Sequence, residues 1–296
     1  MSHHLRASVV IVGYNGERFL RPCLESLTRM DIPAAAYELL IVDNGSGDGT
    51  VAVAENFRSQ FPNFRVMRNE RNMGFPAAVN QAAGLASSPV LVLLNQDTTV
   101  ERRWLSELLA SLERDPSLAA VGSRVVNGGG PALYAAALEV LYGGICVVHE
   151  GDRRIDAVSG CAMAVRLDPL KRVGGFDPAL FMYGEDLDLG YRLRAAGFRI
   201  GYSRESVAHH EAVRRQRAST RVYMFYMARN RTLVCVRNYR WKRLYLIADV
   251  LALFPLTATA EWLRSQRRRL AVRWLVEARM DSLRRSLQML REPTTV

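Results

Sequence analysis

Apolar runs rich in β-branched residues recur through the first 126 positions, with helical patterns between them. The runs fall at 8–12 (SVVIV), 38–42 (ELLIV), 64–67 (FRVM), 90–94 (VLVLL) and 119–126 (AAVGSRVV). The helical patterns lie near 17–29, 49–60, 75–87 and 101–113. Strands that are apolar throughout need cover on both faces, and intervening helices supply it. An α/β domain with parallel strands at its heart is the expected fold.

The pattern breaks at residues 127–157, where NGGGP opens a stretch with no clear period. From 158 onward come a strand (CAMAVRL, 161–167), a short helical turn, a helix over 185–196 and two strand-like pieces, FRIGYS (198–203) and SVAHH (206–210). Beyond residue 212 the chain turns to long basic helical segments. The expected division is a body over 1–211, with halves of about 1–126 and 127–211, followed by a basic helical extension over 212–296.

Charge marks the same division. The formal net charge is +11, but residues 212–296 hold 19 Arg/Lys against 5 Asp/Glu, and residues 1–211 hold 21 against 24. A near-neutral body and a basic extension should meet different partners. Hydrophobic residues make up 49% of the chain, which excludes a disordered polymer. The four cysteines, Cys23, Cys146, Cys161 and Cys235, have no paired spacing, so a disulfide framework or structural zinc site is not expected. The apolar run ASVVIV near the N-terminus is too short for a signal-peptide core, and a cytoplasmic protein is expected.

In open α/β sheets, ligands gather at the carboxyl ends of the strands. The loops there read GYN, VDNGSGDGT, RNERNMGF and NQDTT, and supply Asp43, Asp48 and Asp97 with several Asn and Gly. Each alone could be ordinary turn chemistry; four on one sheet edge point to a binding site. Neither G-x-G-x-x-G nor G-x-x-x-x-G-K-[ST] follows a strand, so a dinucleotide fingerprint and a P-loop are both absent.

Seven segments then occur in a telling order: SVVIVGYN, LLIVDNGSGDGT, RNERNMGFPAAVNQAAGLA, LLNQDT, VSGCAMAVR, GGFDPALFMYGEDLDLGYRLRAAGF and SVAHH. Over roughly residues 7–240 the chain resembles family 2 glycosyltransferases of GT-A fold, a Rossmann-like mixed sheet flanked by helices, and within them the bacterial rhamnosyltransferase-like subgroup. The resemblance implies transfer of a sugar from a dTDP- or UDP-sugar to a hydroxyl of a glycan or lipid-linked glycan in cell-envelope polysaccharide synthesis. It implies that Asp43 accepts from the imide N–H of a pyrimidine, which an acceptor-only carboxylate suits. Gly13, Tyr14 and Asn15 would lie against the base, and the 71–75 turn, with Asn72, Gly74 and Phe75, would close over the nucleotide. Asp97 matches the last Asp of the D-x-D motif, here Asn95-Gln96-Asp97; the first Asp is missing, as in the subgroup. A divalent ion, Mg or Mn, is implied, with Asp97 and His209 as protein ligands and His210 adjacent as the alternative.

Glu185, Asp186 and Asp188 crowd into the first turn of a helix. Unpaired N–H groups and the helix dipole favour negative charge there by about 0.3–1 kcal/mol each. That accounts for the charge but not for Phe181, Met182 and Tyr183 beside it. A general base does: the acceptor hydroxyl must lose a proton, and a partly apolar pocket raises a carboxylate toward the working range. By resemblance Asp186 is the base, and Glu185 binds the acceptor or orients Asp186. Asp188 is expected to cap the helix or to pair with Arg192 in an exposed contact of about 0.3–0.5 kcal/mol. Asp177, in GGFD, would shape the acceptor side, although the turn contexts of Asp168 and Asp177 also explain them. One base without a paired nucleophile implies inversion.

Residues 212–243 contain ten Arg/Lys and no acid. Arg214, Arg215 and Arg217 could form a lid over the diphosphate or simply a solvated basic loop. The segment 244–263 is mostly apolar but interrupted by Asp249, Pro255 and Glu261, and reads first as an interfacial or re-entrant helix, with a buried helix packed on the body or a membrane span as the alternatives. Residues 264–291, with nine Arg and two acids on an amphipathic pattern, suit an anionic lipid surface, so peripheral attachment at the inner face of the plasma membrane is expected. Q-x-x-R-W is absent, which favours one sugar per encounter. Three rival readings are weaker. A basic nucleic-acid binder leaves the first 211 residues unexplained. A pyrophosphorylase lacks its Gly-rich basic opening loop. An inactive scaffold relative rests on Asn95 alone.

Overall fold

The computed structural model describes residues 5–127, 137–141, 145–149, 155–211, 221–238, 242–248 and 268–291. Four parallel strands form one half of the main sheet: β1 (Ala7–Gly13), β2 (Tyr37–Asp43), β3 (Phe64–Arg68) and β4 (Val90–Asn95). The other half contains β5 (Thr98–Val100), β6 (Leu118–Asn127), β10 (Ala162–Arg166) and β11 (Arg199–His210). The order across the sheet is β3-β2-β1-β4-β10-β6-β11-β5, with β10 antiparallel to both neighbours. β7 (Ala137–Leu141), β8 (Ile145–His149) and β9 (Ala157–Val158) make a small second sheet in which β7 runs antiparallel to β9.

Alternation along the strands explains why they are apolar throughout. Val9, Ile11, Leu39, Ile41, Val92 and Leu94 face one core, shared with Leu20 and Leu24 of α1 (Glu17–Leu27), Val53 of α2 (Thr50–Glu55) and Trp104 and Leu108 of α4 (Trp104–Arg114). Val10, Leu40, Val42, Leu91 and Leu93 face the opposite core. There they meet Ala78 and Val79 of α3 (Phe75–Leu85), Leu170 of α5 (Leu167–Arg172) and Leu189 and Leu193 of α6 (Glu185–Ala195). Each such side chain contributes about 1.5–3 kcal/mol by leaving water, and a strand with two buried faces collects this at every position.

Three expectations change. The pieces at 198–203 and 206–210 are one strand, β11, whose register with β6 shifts between Ser203 and Val207. The Arg-Glu pair at 204–205 interrupts the apolar pattern there because a bulge turns both side chains to solvent. The helical pattern at 49–60 divides into α2 and a 3-10 turn at Arg58–Gln60. Asp188 does pair with Arg192, at 2.6 Å, but the contact is buried: the Asp188 side chain is 1% exposed. Arg192 also donates to the carbonyls of Val173 and Gly175, both at 2.7 Å, and so ties α6 to the GGFD loop.

The chain divides into two compact units. The first holds the main sheet and α1–α6. The second contains Met182–Gly184 and three helices, α7 (Arg221–Asn238), α8 (Lys242–Ala248) and α9 (Arg268–Arg291). Inside it Cys235, Val236, Tyr245 and Leu246 pack with Leu283 and Leu290. A polar seam runs beside them: Arg279 donates to Thr232 at 3.2 Å, Asp281 meets Arg285 at 2.8 Å, and Asn230 donates to the carbonyls of Met182 and Tyr183. No helix among the described residues is long and apolar enough to cross a membrane. Of the apolar segment at 244–263, residues 249–263 lie outside the described residues, as do Arg214, Arg215 and Arg217.

Candidate active site

The loops after β1 and β2 are stitched together before any ligand arrives. Asn15, at φ 47°, donates its N–H to Ser46 Oγ and accepts from Gly47 N. Gly16 N donates to Thr50 Oγ1 at 2.8 Å, and Glu17 and Asp48 exchange bonds with the backbone of the facing loop. Gln96 joins the same assembly: its Oε1 accepts from Tyr14 N and its Nε2 donates to Tyr14 O, each at 3.1 Å. The amide of Gln96 thus fixes the backbone beneath the exposed Tyr14 ring. A Cβ at Gly16 would overlap the Gln96 amide, at 1.9 Å from its oxygen. Gly13 leaves a Cβ only 3.2 Å from Thr50.

At the end of β2, Asp43 is buried. Its Oδ2 accepts from Ser46 N at 3.3 Å, while Oδ1 is buried with no hydrogen-bond partner. A buried carboxylate oxygen with nothing to accept from is costly unless a ligand supplies the donor. Next to it Asn44, a residue the sequence reading assigned no role, holds the loop after β3. Its Nδ2 donates to Asn72 Oδ1 at 2.9 Å and Gly74 O, and its Oδ1 accepts from Asn69 and from Met73 N. Asn72 is occupied in turn, accepting from Gly74 N at 2.9 Å. Gly74 has φ +84°, and a Cβ there would strike the Phe181 carbonyl at 2.6 Å. That close approach lets Phe75 N donate to Phe181 O at 2.7 Å, which closes the ring of loops.

The turn between β9 and β10, Ser159-Gly160-Cys161, connects two clusters of predicted residues. Asn95 N donates to Cys161 O at 2.8 Å, and Gly160 N donates to Asp186 Oδ2 at 3.3 Å. A Cβ on Gly160 would lie 3.7 Å from the Phe75 ring and 3.9 Å from Asp186 Cβ, in ordinary contact with both. Asp186 Oδ1 accepts from Leu187 N at 2.8 Å. Burial pushes the Asp186 carboxyl up, and the two backbone donors oppose that rise. Burial, with the neighbouring charges of Asp186 and Asp188, pushes Glu185 up to about 8, and its buried Oε2 has no hydrogen-bond partner. Burial thus favours a proton on this pair of carboxyls, while backbone N–H groups hold both Asp186 oxygens.

The histidines separate by strand alternation. His210 Nε2 lies 3.2 Å from Asp97 Oδ1, with both side chains buried, and Glu211 N donates to Asp97 O at 2.9 Å. His209 points to the other face of β11, where it meets Glu101 at 3.1 Å and lines an open groove with Arg124 and Arg204. The expected second ligand, His209, is therefore on the wrong face, and His210 occupies the place beside Asp97. Both Val207 and Ala208 are apolar, so the sequence does not reveal the strand's phase; the register with β5 does. Asp177 caps the turn at Pro178–Leu180 by accepting from Ala179 N at 3.0 Å. Asp168 is exposed in the first turn of α5.

Among the described residues no group of three or more His, Cys, Asp or Glu side chains converges on one point. Asp97 and His210 give a carboxylate oxygen and an imidazole nitrogen, a donor pair that suits a divalent ion if another molecule completes its shell.

Known proteins resemble the chain in sequence and in fold. A family model described as "Glycosyl transferase family 2" matches residues 8–174. An N-acetylglucosaminyl-diphospho-decaprenol L-rhamnosyltransferase of Mycobacterium tuberculosis is 30% identical, over 69% of this chain and 76% of that one. Glycosyltransferase AglE of Haloferax volcanii is 26% identical, over 69% of this chain and 66% of its own length. Among solved structures, TarS 1–349 of S. aureus with UDP-GlcNAc superposes with a TM-score of 0.65 at 15% identity, covering 95% of this chain and 81% of that one. The mannosyltransferase PcManGT of Pyrobaculum calidifontis with GDP-Man and Mn2+ gives 0.62 at 16% identity, covering 95% and 88%.

Proposed function

The chain belongs to glycosyl transferase family 2, and on that premise we propose that it moves a single sugar, rhamnose or a close relative, from a dTDP- or UDP-sugar to a hydroxyl of a glycan or lipid-linked glycan, with inversion. One observation carries the reading: Asp43, the Asn95–Asp97 segment and Asp186 are joined through short backbone bridges into one rim at the strand ends. The mycobacterial relative, whose name describes a rhamnosyl transfer to a diphospho-decaprenol, supports the donor and acceptor classes.

Each residue then has a task. The orphan Asp43 Oδ1 accepts the imide N–H of the pyrimidine, and the preset Tyr14 backbone leaves its ring free to lie on the base. Asp97 and His210 hold the divalent ion, whose chemistry is to balance charge on the departing diphosphate. Asp186 takes the proton from the acceptor hydroxyl as that oxygen attacks the anomeric carbon. Glu185, protonated, donates a hydrogen bond to the acceptor and so orients it. Expulsion of the nucleoside diphosphate from the opposite side inverts the centre in one displacement. The basic extension attaches the enzyme to the inner face of the plasma membrane.

The test is a thermal-shift series with dTDP-rhamnose and UDP-sugars, with Mg²⁺ or Mn²⁺. One donor class should raise the transition by several degrees; Asp43→Ala should remove most of that rise, and His210→Ala, unlike His209→Ala, its metal-dependent part. Asp186→Asn should keep donor binding and lose about 10²–10⁴-fold in kcat. Full turnover by that variant would take the base role away from Asp186.

A further inference from the structure

Helix α9 packs Leu275, Leu283 and Leu290 inward and still leaves an apolar stripe outside. The residues it buries are Leu275, Ala278, Arg279, Ser282 and Ser286, while Val276, Met280 and Leu287 stand 44%, 49% and 50% exposed. Spacings of four and seven residues put those three on a single stripe. Two further exposed apolar residues, Leu244 and Ile247, sit one turn apart on α8 at 60% and 55%. Of the ten large apolar side chains exposed among the described residues, seven belong to α7–α9, so the feature is local to this unit. Scattered exposed apolar residues need no account; a stripe opposite buried serine and arginine does.

We propose that the outward stripe of α9 is a contact face for an anionic bilayer, a surface that rests on the membrane attachment read above and gives it an address. Charge selects this occupant. Arg284 and Arg273, the latter paired with Glu277 at 3.0 Å, are exposed beside the stripe, and residues 212–296 carry 19 basic against 5 acidic side chains. Apolar residues edged by arginine enter the acyl boundary while the guanidinium groups stay with anionic headgroups. A second copy of the chain is the competing occupant, and the oligomeric state distinguishes it.

Co-sedimentation of the full chain with phosphatidylglycerol–phosphatidylcholine vesicles tests this, with phosphatidylcholine vesicles as control. The wild type should pellet with the anionic vesicles and remain in solution with the neutral ones. The triple variant Val276→Ser, Met280→Ser, Leu287→Ser alters only exposed positions and should keep its unfolding temperature while binding roughly tenfold more weakly. Arg273→Gln with Arg284→Gln should lose binding mainly at low salt. Undiminished binding by the triple variant overturns the proposal, as does a wild type that ignores anionic vesicles. Sedimentation velocity in which the triple variant abolishes a dimer, with vesicle binding intact, reassigns the stripe to self-association and overturns it too. Donor thermal shifts on the wild type separate the readings: donor binding without vesicle binding overturns the membrane contact and leaves the glycosyl-transfer reading standing, and vesicle binding without donor binding does the reverse.

Discussion

Glu185 carries a distinctive electrostatic signature. Its carboxyl is pushed up by burial and by Asp186 and Asp188, so between the unfolded value near 4.5 and about 8 the folded chain binds a proton that the unfolded chain has released. Stability tied to this group is therefore greatest at low pH, declines as pH rises through that window and is flat above it. Glu185→Gln removes the titration. The variant should match the wild type near pH 4 and melt a few degrees higher at pH 8, and melting curves at the two pH values check it. A wild type whose advantage grew with pH would contradict the sign. The same pair was legible in the sequence as a charge conflict, but the contacts that hold Asp186 were not. They come from Gly160 N and Leu187 N, one of them distant in the chain.

At the scale of elements, α6 shows how a sequence pattern can be right in partner and wrong in energy. The i, i+4 spacing identifies Asp188 and Arg192, but the GGFD loop packs over them and converts a surface pair into a buried one. Removing one member of such a pair leaves a charge without its partner, so Arg192→Ala should cost about 3 kcal/mol in urea unfolding and disorder the 174–177 loop. A loss below about 0.5 kcal/mol would return the contact to the surface class. The parallel strands and their helices were readable because each strand carries its own two-sided apolar signal. β5 has three residues and β9 two, too few for any period to register. Asn44 was hidden for another reason: in DNGSGDG it looks like ordinary turn chemistry, and its four bonds reach a loop 25 to 30 residues away.

For the whole molecule, two units with separate apolar cores imply two unfolding events. Calorimetry should resolve two transitions, and a nucleoside diphosphate with Mn²⁺ should raise only the one belonging to the sheet-containing unit, where Asp43, Asp97 and His210 reside. A single transition shifted as a whole would mean the units melt together. The face that α9 turns outward needed coordinates, since the helix buries Leu275 and exposes Leu287. Finally, both oxygens of Asp186 are tethered to backbone amides. In the proposed role of base, a carboxylate fastened at both ends cannot swivel to follow its substrate and would serve the hydroxyl brought along one line of approach. Regiochemistry of the new linkage would then be inherited from a glycine turn, and loosening that turn should yield mixed linkages before it yields a dead enzyme.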